Sequence, residues 1–246
     1  MWNPGRVLPL ALASLFLSSG SMQAEEATEA AKPIKATMNV GYVQTGGNTE
    51  VVTMLASDKI AWKTGSWTYT QDGEAVYGKN QGTENAGRYD FGLRADDGLS
   101  SRLSLYGLTS YKRNTYGGVE HQFDESVGAA YHAILPQPQL LDLEFGFGLL
   151  QRRTTEPRDE NFSTARVAAL YKYFFAGKAT FEASSDWVVN LQHTDDSDVE
   201  AVAKLAAPLA TGLSINLGYD AQYRSKPLPG LERLDWTVST GLQLSY

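Results

Sequence analysis

An all-β fold is predicted, an antiparallel up-and-down transmembrane β-barrel of about twelve strands, and three observations predict it. Stretches with a period of two follow one another from Ile34 to Tyr246. The connections between them alternate in length, and aromatic residues gather where the stretches end. A period of two places successive side chains on opposite faces of a strand.

The amino terminus differs in composition from the rest. Arg6, the apolar run Val7–Leu17 and the small-residue segment Ser18–Ala24 match the three zones of a secretory signal peptide. Residues 1–24 are therefore expected to be removed, residues 25–33 to form a short periplasmic lead, and residues 34–246 to form the barrel. Removing residues 1–24 takes away Arg6 and no acid, so the net charge moves from −7 to −8. An acidic chain of this kind argues against nucleic acid as a partner. With no cysteine, disulfides, thiolate metal sites and cysteine nucleophiles are excluded.

Mean hydropathy is −0.30. Beyond the first two dozen residues no apolar run approaches the ~20 residues of a membrane helix. A membrane barrel is compatible with that value, because only every second strand residue faces lipid.

The expected strands are 34–44, 50–62, 66–78, 85–96, 99–112, 121–134, 139–152, 162–175, 178–192, 198–208, 211–224 and 232–246. Long connections (45–49, 79–84, 114–120, 154–161, 193–197, 225–231) take turns with short ones (63–65, 97–98, 135–138, 176–177, 209–210). One end of the barrel is thus trimmed to turns and the other carries loops. An even strand number returns both ends of the barrel segment to the short-turn side.

Alternation is clearest where Leu141, Leu143, Phe145, Phe147 and Leu149 interleave with Asp142, Glu144, Gly146 and Gly148. The second strand is ambiguous, since Asp58 and Lys59 are adjacent and only one of them can share the polar face without a bulge. A soluble barrel shows the same period with its apolar face inward. Trp62 and Trp67 beside one short turn, and Tyr42, Tyr77, Tyr89, Tyr111 and Tyr223 near the long connections, favour the apolar face outward as two interfacial belts. The polar face then lines a lumen. The expected lining set is Asp72, Glu74, Asp90, Asp142, Glu144, Asp186 and Asp220 with Arg88, Arg94, Arg102, Arg152, Arg166 and Lys204. A twelve-strand barrel has a backbone diameter of about 25 Å, so inward side chains make the lumen narrow or closed.

The final strand resembles the carboxy-terminal assembly signal of bacterial outer-membrane barrels, with Leu242, Leu244 and the terminal Tyr246 on its apolar face. Val40-Gly41-Tyr42-Val43-Gln44-Thr45-Gly46-Gly47-Asn48-Thr49-Glu50 resembles the opening hairpin of the salt-induced outer-membrane protein family, a β-barrel family of unknown function. The resemblance implies an outer-membrane location and regulation by salt, and carries no catalytic residues. The partners implied are outer-membrane lipid and lipopolysaccharide, and the barrel-assembly machinery through the last strand.

The three histidines, His121, His132 and His193, form no metal- or nucleophile-type spacing, and structural or solvated roles are expected for them. His193-Thr194-Asp195-Asp196-Ser197-Asp198 could serve an omptin-like hydrolase, and the same loop, with Glu156, Asp159 and Glu160, could hold divalent cations; it lacks the Gly and distal Glu of an EF-hand loop. The reading is a non-enzymatic outer-membrane barrel, without cofactor or metal, for envelope integrity or limited passive passage of solutes and ions. Its alternatives are a phospholipase- or omptin-like barrel hydrolase and a secreted soluble ligand-binding barrel. The signal-peptide reading predicts a mature amino terminus at Glu25, checked by intact mass of the protein recovered from membranes.

Overall fold

A computed structural model describes residues 34–46, 51–80, 83–135, 138–156 and 159–246. The expected signal peptide and periplasmic lead lie outside the described residues, as do Gly47–Glu50 of the family-like motif. The twelve strands are β1 (Ile34–Gly46), β2 (Val51–Thr64), β3 (Trp67–Asn80), β4 (Thr83–Gly98), β5 (Leu103–Asn114), β6 (Val119–Ile134), β7 (Gln139–Thr154), β8 (Asp159–Phe174), β9 (Thr180–Asn190), β10 (Ser197–Ala210), β11 (Leu213–Arg224) and β12 (Leu234–Ser245). Each pairs antiparallel with its neighbours in sequence, and β12 returns to β1 to close the barrel.

All twelve expected strands are present, but several run further than the sequence pattern indicates. β3 ends at Asn80 and β4 begins at Thr83, so a connection expected to be long is short. Conversely, β5 begins at Leu103, later than the expected 99. Ser100 causes that delay. Its Oγ accepts hydrogen bonds from the backbone N–H of Arg102 (3.2 Å) and Leu103 (3.1 Å), which holds residues 99–102 as a turn.

The apolar face is the outer one. Met54, Val127, Phe145, Phe147, Leu149, Leu217 and Leu242 are all exposed, Val127 by 67%. Trp62, Trp67 and Tyr69 cluster outside one short turn, with Trp67 stacked on Tyr69 at 6.0 Å. β2 resolves its ambiguity without a register shift: Lys59 is opposite Asp72 on the inner face, and Asp58 points outward. Asp58 lies over Gly73, where a Cβ would stand 2.7 Å from Asp58 Oδ1 in its present rotamer.

The seam between β1 and β12 sets the closure. Ala36 N–H donates to Tyr246 O (3.1 Å) and Tyr246 N–H to Ala36 O (2.8 Å), so the last residue of the sequence is held in the ladder. Higher up, Gly41 faces Gly241. A Cβ on either would lie 2.3 Å from a carbonyl oxygen of the opposite strand, Thr240 O for Gly41 and Val40 O for Gly241. These are backbone contacts that no rotamer change relieves. Gly241→Val is expected to block closure and deplete the folded, heat-modifiable band on unboiled gels, while Gly107→Ala, at a position with no atom within 4 Å of a Cβ, leaves it unchanged.

Candidate functional site: the ionic lumen

Side chains that meet across the barrel define its interior. Arg88 on β4 pairs with its neighbours Glu74 and Asp90 (3.0 Å) and reaches Asp220 on β11 at 3.4 Å. β4 and β11 are five strands apart by the shorter path around the barrel, so this contact crosses close to a diameter. Lys112 on β5 reaches Glu200 on β10 at 2.9 Å over an equal span. Nearer the long-loop end, Arg152 binds Asp198, Gln122 Oε1 (2.7 Å) and Glu160 (3.4 Å), and Arg224 adds a second contact to Asp198 at 3.2 Å.

A second layer sits toward the short turns. Glu144 accepts from Arg94 (2.9 Å) and Arg166 (2.7 Å). Arg94 also holds Asp96 (2.7 Å), and Arg166 Nε holds Asp186 (2.7 Å). Tyr106 lies between the two guanidiniums, 4.4 Å from Arg94 and 5.5 Å from Arg166, and its hydroxyl meets Arg166 at 3.0 Å. This is a cation–π clamp. Lys172 pairs with Glu182 (2.7 Å), and Glu182 is opposite Lys204 in register. Lys59, Asp72 and Lys204 are exposed although they face inward, so the inner surface stays solvent-accessible in this half.

One connection crosses the long-loop end. The β11–β12 connection, residues 225–233, leans on the β5–β6 turn, on the far side of the barrel. Gly118 has φ +81, and a Cβ there would stand 2.8 Å from Leu231 Cδ1 and 2.9 Å from Leu228 Cδ1. Arg224 Nη1 donates to Gly117 O at 3.5 Å. Val119 and Leu150, on the inner face near this end, are 1% and 2% exposed. Lys226 ties the same connection to the β9–β10 loop through Asp195 at 2.6 Å, and that hydrogen bond holds the Asp195 carboxyl below its ordinary range.

The residues expected inside thus sit in three settings. Glu74, Arg88, Asp90, Arg94, Glu144, Arg152, Arg166, Asp186 and Asp220 belong to the two bridging layers. Asp72 and Lys204 lie in the accessible half, and Asp142 is bound to His132 at 2.6 Å. Arg102 is the correction: it is in the exposed 99–102 turn, where Nη1 donates to Ala133 O (3.2 Å), because Ser100 ends the turn only at Leu103. Lys59, Asp96, Tyr106, Lys112, Lys172, Glu182, Asp198, Glu200 and Arg224 were not in the expected set, although the parity of their strands would have nominated them. The acidic loop is internally engaged. Asp195 binds Lys226, Asp196 accepts from Asn190 Nδ2 (3.2 Å), and Asp198 is held by two arginines. His121 bonds through Nδ1 to the Tyr111 hydroxyl (2.8 Å).

A closed antiparallel barrel with an apolar exterior and a polar, ion-paired interior is the architecture of a transmembrane β-barrel. The chain belongs to the family described as "Protein of unknown function, DUF481", which it matches over residues 38–246. Among solved structures it is similar to the NanC porin, with 9% identity and a TM-score of 0.57, covering 84% of this chain and 98% of that one. That likeness is one of fold. Also similar are the KdgM porin in complex with disordered oligogalacturonate (9% identity, 85% and 99% covered, TM-score 0.48) and the translocator domain of autotransporter NalP from Neisseria meningitidis (16% identity, 88% and 90% covered, TM-score 0.47). No curated protein matches the sequence.

Removing one partner of a buried ion pair leaves the others charged and unpaired, at a cost of about 3–5 kcal/mol. Arg88→Met, which strands Glu74, Asp90 and Asp220 together, is expected to lower barrel stability by that order, read as a reduced urea midpoint of the folded band in lipid vesicles.

Proposed function

We propose that this chain is a bacterial outer-membrane barrel that passes small solutes or ions slowly and passively, or serves envelope integrity when its lumen is shut. The observation that carries the reading is the pair of near-diametric bridges, Arg88–Asp220 and Lys112–Glu200, inside a wall whose exterior is apolar. The exterior belt supports residence in a lipid bilayer, with lipid and lipopolysaccharide around it. The exposed Leu242, Leu244 and Tyr246 of the closing strand suit recognition by an assembly machinery. Mixed-sign pairs leave the lumen little net field, so weak selectivity follows.

Salt responsiveness has a physical basis in the same bridges. Raising ionic strength from 0.1 to 1 M shortens the Debye length from about 10 to about 3 Å, which weakens whichever pairs water reaches. The barrel should then open in steps as salt rises. The test is single-channel conductance of the purified barrel in planar bilayers over a potassium chloride series, for the wild type and for Asp220→Asn with Glu200→Gln. Conductance steps that grow faster than bulk conductivity, and that appear at lower salt in the double variant, are expected. An electrically silent double variant that remains folded would remove the passage reading and leave the structural one.

A further inference from the structure

We propose that Ser104, His132 and Asp142 form a nucleophilic relay at the short-turn mouth of the lumen, suited to the transfer of a short acyl group from a carboxylic ester. Asp142 Oδ1 is 2.6 Å from His132 Nδ1, and His132 Nε2 is 3.5 Å from Ser104 Oγ. The three come from adjacent strands, β5, β6 and β7, near their short-turn ends. Asp142 is opposite His132 in register, and Ser104 is opposite Ala130, two residues before it. The order of contacts, carboxylate to Nδ1 and hydroxyl to Nε2, is what base-activated serine chemistry requires. With Nδ1–H donated to Asp142, the Nε2 lone pair faces the Ser104 hydroxyl. This activity is independent of solute passage.

The surroundings define the substrate. Ser104 is 5% exposed, whereas the His132 and Asp142 side chains are 29% and 24% exposed, so a reactant must come from the imidazole side. Ser104's two cross-strand neighbours are small, Gly98 on β4 and Ala130 on β6. A Cβ at Gly98 would meet only Ser66 O, at 3.4 Å. Small neighbours on both sides of Ser104 suit a short acyl group better than a long chain. Arg102, exposed in the adjoining turn, holds the end of β6 beside the imidazole, its Nη1 donating to Ala133 O (3.2 Å) and His132 O (3.5 Å).

In the reaction, Ser104 Oγ attacks the ester carbonyl as its proton passes to His132 Nε2. The tetrahedral intermediate expels the alkoxide, which takes that proton and leaves as the alcohol. Water then attacks the acyl-serine with His132 again as base, and the acid departs as Ser104 regains its proton. Asp142 touches no reacting atom and acts as a positioning residue for the imidazole.

The test uses the full chain refolded in detergent, with folding of every variant verified by heat-modifiable migration. Because the sequence has no cysteine, Ser104→Cys creates a lone thiol whose reactivity reports the histidine directly. Its alkylation by iodoacetamide at pH 7 is expected to be about tenfold faster than in Ser104→Cys combined with His132→Gln, with an intermediate rate for Asp142→Asn and convergence of all rates at pH 10. Equal rates at pH 7 would overturn the relay. In parallel, wild-type protein should hydrolyse p-nitrophenyl acetate faster than p-nitrophenyl octanoate, with the rate falling to background in Ser104→Ala and unchanged in His121→Gln. Acetate hydrolysis that is the same in wild type and Ser104→Ala would equally sink the assignment.

Discussion

Closure of the sheet on itself is the constraint on which everything else depends. Inside a bilayer no water is available to an unpaired backbone, so a strand edge cannot be left open. The edge is removed by the β1–β12 seam, and the seam is passable only because Gly41 and Gly241 let the two backbones approach. Once the sheet is closed, the parity of each strand is fixed for all its residues together. Moving β4 by a single residue against its neighbours would turn Arg88, Asp90 and Arg94 toward lipid together. The ionic lumen is in this sense a consequence of register.

Inside, the arrangement trades solvation for pairing. Each arginine of the bridging layers contacts at least one carboxylate, and Arg88, Arg94, Arg152 and Arg166 each contact two or more. Guanidinium suits this role because its planar fork serves several acceptors at once. Lysine instead appears where water reaches the inner wall, at Lys59 and Lys204. Lys112 is the exception, a lysine held inside the bridging layers by Glu200 at 2.9 Å.

Much of this was legible in the sequence, and what was not has a physical reason. Strand number, face assignment and the closing strand all follow from a period of two, which is local. The inward placement of Asp90 or Glu144 needs nothing more. Partner choice is not local: Lys112 and Glu200 are 88 residues apart, and nothing in either strand names the other. Arg102 was misplaced because a serine hydroxyl, a two-residue effect, outweighed strand propensity at Leu99 and Ser100. His132 was visible as a polar-face residue, but its contacts with Asp142 and Ser104 depend on the register of three strands. The adjacent pair Asp58–Lys59 is sorted by pairing, which sets Lys59 opposite Asp72 and Asp58 opposite Gly73.

The crossing of the β11–β12 connection to Gly118 changes what the outer end of the barrel offers to its surroundings. An arriving molecule meets, among the described residues, a strap of backbone pinned by two leucines and an arginine. What that end presents is therefore set by how firmly the strap is held, a quantity separate from the width of the barrel beneath it.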